Sequence, residues 1–208
     1  MNFIRTYNWL YPMLAFNISM VATRIALTGE LTFVFIIWNL FLAGVPLYTS
    51  HKLELAKSKI QSWLYAAVWL LFFPNAMYIV TDLFHLHERP EIPLWFDLVL
   101  LLSAALNGVI MGYLSLYKIE KWLKTFVPLR YITPIIFAIL FLCGYGIYLG
   151  RYLRWNSWDT IVQPYLLFAD IVHHCLHPFR NMHVWTLSAV FAIWMYLLYT
   201  HFKKIKLQ

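Results

Sequence analysis

Acids, histidines and arginines are sparse in this chain, and their spacing limits the chemistry it could perform. Read as a helix, Asn75, Tyr78, Asp82 and His85 share one face. Pro74 precedes them and, lacking an N–H, frees a backbone carbonyl nearby. Asp97 follows Trp95 and Phe96, and the densest segment runs Gly150-Arg151-Tyr152-Leu153-Arg154-Trp155-Asn156-Ser157-Trp158-Asp159. The carboxylates Asp82, Asp97 and Asp159 with His85 have the types needed for general acid and base, or for holding a metal-bound water. Arg151 and Arg154 offer planar forks that match phosphate or carboxylate oxygens, and Trp155 and Trp158 suit the headgroup level of a membrane. Asn75, Tyr78 and Asn156 complete a candidate ligand-binding set. A third set, Asp82 and His85 together with His173, His174 and His177, has ligand types suited to a divalent metal such as zinc.

Each set also has a plainer reading. Asn75 could bond a neighbouring helix, and Asp97 could answer the dipole of a helix N-terminus. Arg151 and Arg154 could anchor an interface by pairing with Asp82, Asp97 or Asp159. Asn107 beside Gly108 and Gly112, and Gly146 with Gly150, show the small-residue spacing of close helix packing. His173 and His177 stand four apart without an HExxH pattern. There is no GxSxG, no Walker sequence and no GxGxxG, and Cys143 and Cys175 form no CxxC. Soluble enzyme classes built on those motifs are excluded.

The elements that must carry these residues are apolar. Of the 208 residues 62% are hydrophobic and 12% charged, against roughly 45–50% and 25% in a soluble domain. About 20 apolar residues cross about 30 Å of hydrocarbon, and about six runs qualify: Trp9 to Thr28, Leu31 to Tyr48, Trp63 to Leu83, Leu94 to Tyr117, Tyr131 to Leu149 and His183 to Phe202. The first is long, polar at Asn17 and Arg24, and lacks a convincing cleavage site, so it is expected to stay attached. The expectation is therefore an all-α, polytopic membrane helix bundle forming one domain over residues 1–208. The net charge of +7 sits in clusters that flank apolar runs, which points to a bilayer as partner and away from nucleic acid.

Lys52, Lys57 and Lys59, then Lys118, Lys121 and Lys124, then Lys203, Lys204 and Lys206 fall on one side if six runs cross. That side is cytoplasmic by the positive-inside rule, and both termini lie there. Between Thr160 and His177, apolar residues alternate with a stripe of Gln163, Asp170, His173, His174 and His177. This spacing predicts an extracytoplasmic amphipathic helix lying on the membrane surface, ended by Pro178.

The run Pro74-Asn75-Ala76-Met77-Tyr78-Ile79-Val80-Thr81-Asp82-Leu83, then Trp95-Phe96-Asp97, Gly150-Arg151 and Arg154 to Asp159, resembles the bacterial multi-pass family catalogued as domain of unknown function 1361. The likeness runs from about Trp38 to about Pro164 and leaves His173 to His177 outside it. It implies a multi-pass fold in a bacterial cytoplasmic membrane. The residues themselves point to an outward-facing polar pocket of Asp82, His85, Asp97, Arg151, Arg154, Asn156 and Asp159. Such a pocket would take a lipid headgroup or another small anionic ligand, with an exofacial hydrolase or transferase of lipid or envelope polymer as one form of that activity. A small permease, a substrate-binding subunit of a transporter and a non-catalytic assembly factor are the alternatives.

Overall fold

The computed structural model of the chain describes residues 3–206. Gln208, the expected cytoplasmic end, lies outside them. Their regular structure is helical apart from one isolated antiparallel bridge between Arg89 and Ile92. The order is α1 (Phe3–Thr6), α2 (Tyr11–Thr28), α3 (Phe35–Glu54), α4 (Lys59–Tyr78), α5 (Leu94–Leu123), α6 (Leu129–Tyr152), α7 (Asp159–Val162), α8 (Pro164–Leu176) and α9 (Met182–Lys206). A tighter 3-10 stretch, Ile79–His85, continues α4.

Local chemistry sets the helix ends. Pro12 lies in the first turn of α2, where its missing N–H costs nothing. Gly29 closes that helix at φ 69°, its N–H donating to the Ile25 carbonyl. The Ser58 side chain accepts from the Gln61 N–H and starts α4. α4 runs through Pro74 to Tyr78 rather than breaking there.

Among the described residues five helical stretches are long and apolar enough to cross a membrane: Asn8–Thr28, Lys59–His85, Leu94–Leu123, Leu129–Tyr152 and Met182–Lys204. This corrects the expected count of six. The remaining segment forms α3, whose 20 residues reach about 30 Å at 1.5 Å per residue. Its last turns read Thr49-Ser50-His51-Lys52, and that polarity keeps it out of the apolar set.

Two compact units make up the chain, Met1–Ile119 and Glu120–Gln208. In the first, α3 packs on α4 and α4 packs closely on α5. A methyl group on Gly108 would stand 2.5 Å from the Ala76 carbonyl oxygen, and one on Gly112 would stand 2.6 Å from the Met77 side chain. The Gly108 and Gly112 face is thus a helix-packing surface. Asn17 of α2 and Asn107 of α5, both buried, meet through their amides at 2.5 Å, and Asn17 also reaches Ser103 at 2.6 Å. These contacts join α2 to α5. Trp69 donates to Ser115 at 3.0 Å. In the second unit α6 packs on α9, closest where a methyl group on Gly144 would meet the Ser188 carbonyl oxygen at 2.7 Å. Glu120 there holds Tyr199, Lys124 and Lys203.

Candidate functional site

The first unit gathers charge where α2 ends and α5 begins. Arg24 stands four residues before the end of α2 and Asp97 three residues after the start of α5, so their depths are similar. Asp97 is 2% exposed, and its Oδ1 accepts from Arg24 Nε at 2.9 Å. Its Oδ2 accepts from Arg89 Nη1 at 2.8 Å. Both guanidiniums lie against the buried Phe33 ring, at 4.6 and 4.9 Å from its centroid, adding a cation–π attraction of about 0.5–2 kcal/mol each. Arg24 Nη1 is buried without a hydrogen-bond partner among the described residues.

Asp82 and His85 are neighbours, three apart on the 3-10 stretch, where such positions eclipse. Both face the first turns of α3. Asp82 Oδ2 accepts from Asn39 Nδ2 at 2.8 Å, and the His85 ring lies 5.1 Å from that of Phe35. Asn75, further down the same helix, donates to the Phe72 carbonyl at 3.0 Å. Tyr78 is half-buried.

The second unit holds the arginine–tryptophan segment. α6 ends at Tyr152, and Arg154 takes a left-handed backbone, φ 61°, where glycine is usual. The Trp155 N–H folds back to donate to the Leu149 carbonyl, and its indole Nε1 donates to Asp170 Oδ2 at 2.8 Å. Asp159 is occupied locally, accepting from the Asn156 N–H at 2.6 Å. Arg154 and Trp158 are exposed on this braced segment.

The histidines do other work than expected. His174 is buried, with Nδ1 2.9 Å from the Tyr145 hydroxyl, and His183 Nε2 stands 3.0 Å from the Tyr148 hydroxyl. His173 and His177 are exposed and stack on each other, ring centroids 5.0 Å apart. Asp170 and His174 therefore leave the water-facing stripe assigned to them by periodicity. Among the described residues no three histidine, cysteine, aspartate or glutamate side chains form a group that could hold a metal ion. The ligand set of Asp82, His85, His173, His174 and His177 has no such group to rest on.

Of the expected site residues, Asn75, Tyr78, Asp82, His85 and Asp97 belong to the first unit, and Arg151, Arg154, Trp155, Asn156, Trp158 and Asp159 to the second. The sequence reading missed Arg24, Arg89 and Asn39 as partners. A signal existed for Arg24: a cation inside a span is costly unless paired, which calls for an acid at equal depth.

Fold and site together define a polytopic, all-helical membrane protein with buried charge pairing near its helix ends. The chain belongs to a family of proteins of unknown function, DUF1361, whose sequence profile matches residues 38–198. The match passes beyond Pro164 and takes in His173 to His177, which the resemblance alone left outside. No curated protein and no solved structure matches the chain.

Proposed function

We propose that this protein binds an anionic group, a lipid headgroup or another small oxyanion, at the membrane face where α6 ends. The observation that carries the reading is Arg154. An exposed arginine is held in a left-handed backbone conformation on a segment braced by Trp155 and Asp170. Such a conformation costs about 1–3 kcal/mol and persists where surrounding structure imposes it, often at ligand contacts. Trp158, exposed nearby, suits headgroup depth.

Binding is favoured over hydrolysis or group transfer by the state of the acids. Both Asp97 oxygens are held by guanidiniums, and Asp159 closes its own turn. A general acid or base needs a proton position open to substrate. The same reading puts the α6 end outside a cytoplasmic membrane and both termini inside. It is supported by the lysine clusters and by α3, tied at one end through Asn39 to Asp82 and at the other through Glu54 to Lys118.

The test is thermal unfolding of detergent-solubilised protein with added phosphatidylglycerol or phosphatidylcholine. Phosphatidylglycerol should raise the midpoint of the wild type, and Arg154→Ala and Arg154→Lys should both lose most of that rise, because lysine lacks the two-pronged donor geometry. A full rise in Arg154→Ala would sink the reading. Permeation is a second reading, favoured by the contacts of buried Asn17 on α2 with the buried Asn107 and half-buried Ser103 of α5. Uptake of labelled solutes by reconstituted vesicles tests it.

A further inference from the structure

α8 is built inside out relative to a helix lying on a wet surface. Its inward face carries Leu167, Asp170, Ile171 and the buried His174, with Asp170 bonded to the Trp155 indole and His174 to the Tyr145 hydroxyl. Its outward face carries Tyr165, Phe168, Ala169, Val172 and Leu176, bordered by the exposed His173, and Tyr165, Phe168 and Leu176 are 80, 65 and 70% exposed. Water would hydrate the opposite arrangement, since polar groups gain little by turning inward while large apolar side chains stay wet.

Depth points the same way. Tyr145 lies seven residues before Tyr152, the last residue of α6, so His174 meets that helix about 10 Å below its end at 1.5 Å per residue. That is within the hydrocarbon if α6 spans it. Thirteen residues reach only about 20 Å, too short to cross about 30 Å. There is no lysine or arginine from residue 155 to residue 179, so attraction to anionic headgroups cannot hold this stretch at the surface. Ile161, Val162 and Phe179, outside α8, add exposed apolar surface on either side of it.

We infer that α8 is sunk into the leaflet on the side where α6 ends, its outward face covered by lipid acyl chains, its inward polar side chains His174 and Asp170 satisfied on α6 and the Trp155 segment, and His173 left exposed at the flank of the outward face. The helix is a half-membrane insertion rather than a surface float. This inference stands apart from anion binding at Arg154, because acyl chains recognise neither charge nor headgroup.

Cys175 supplies a native probe. It is exposed, whereas Cys143 is buried, so a bimane label on the unmodified chain reports from the edge of the outward face. Ala169→Cys and Leu176→Cys, each in a Cys175→Ser background, report from its centre, and Gln163→Cys reports from the helix start. In phosphatidylcholine vesicles, lipids brominated on their acyl chains should quench the labels at positions 169, 175 and 176, while aqueous iodide should quench only the label at 163. Iodide quenching at 169 and 176 without bromolipid quenching would overturn the inference in favour of a surface helix. Silence to both quenchers would overturn it in favour of a protein-covered face.

Discussion

Asp97→Asn is the sharpest perturbation of the first unit. The carboxylate is 2% exposed and receives one guanidinium on each oxygen, at 2.9 and 2.8 Å. Opposite unit charges about 4 Å apart attract by about 4 kcal/mol at an effective dielectric constant of about 20. Breaking a buried pair by removing one partner costs about 3–5 kcal/mol, because the other charge is left uncompensated. Asparagine keeps one acceptor but turns an NH2 toward the second guanidinium, so the loss should fall in that range. Arg24→Met keeps an apolar stem near Phe33 and leaves Asp97 bound to Arg89, so it should cost only about 1.5–3 kcal/mol, the value of one hydrogen bond to a charged group. Reversible unfolding in mixed micelles gives both free energies, and the double variant should cost less than their sum. If Asp97→Asn costs under about 1 kcal/mol, or less than Arg24→Met, the carboxylate is not the hub of this cluster.

Other substitutions probe separate claims. Gly108→Ala and Gly144→Ala should each destabilise by about 1–3 kcal/mol through forced separation of packed helices, whereas Gly44→Ala, with nothing within 4 Å of the new methyl, should stay within about 0.5 kcal/mol of wild type; equal costs would deny the packing role. Arg154→Gly should leave stability unchanged or raise it by up to about 1 kcal/mol while abolishing the response to phosphatidylglycerol, and an unimpaired response would remove Arg154 from the binding reading. A reporter active only outside the membrane, fused after Gln208, should remain silent.

The sequence made the helices legible because hydrophobic length is a coarse property that survives errors of several residues. It misjudged α3, where Asn39 and the Thr49-Ser50-His51-Lys52 turn interrupt an apolar run that still folds as 20 helical residues. Periodicity found α8 but reversed its sense. Spacing tells which side chains share a face, while the direction of that face is set by partners such as Trp155 and Tyr145, distant in sequence. The family motif located Asp82, Asp97 and Arg154 but not Arg24, which lies before the matched residues and becomes meaningful only opposite Asp97.

That pairing also bears on how α3 crosses the unit. Asp97 and Lys118 stand near opposite ends of α5, 21 residues apart, or about 31 Å at 1.5 Å per residue. Asp97 is tied to Arg24 near the end of α2, and Lys118 to Glu54 at the end of α3. At its other end α3 gives Asn39 to Asp82, just past the end of α4. A helix held at both ends in this way runs alongside α4, polar turns included. Within that end Thr49 and Ser50 return their hydroxyls to the carbonyls of Val45 and Leu47, so neither hydroxyl is left facing hydrocarbon. Apolarity thus marks five stretches, and the contacts at its two ends hold α3 beside α4 despite its polar turns.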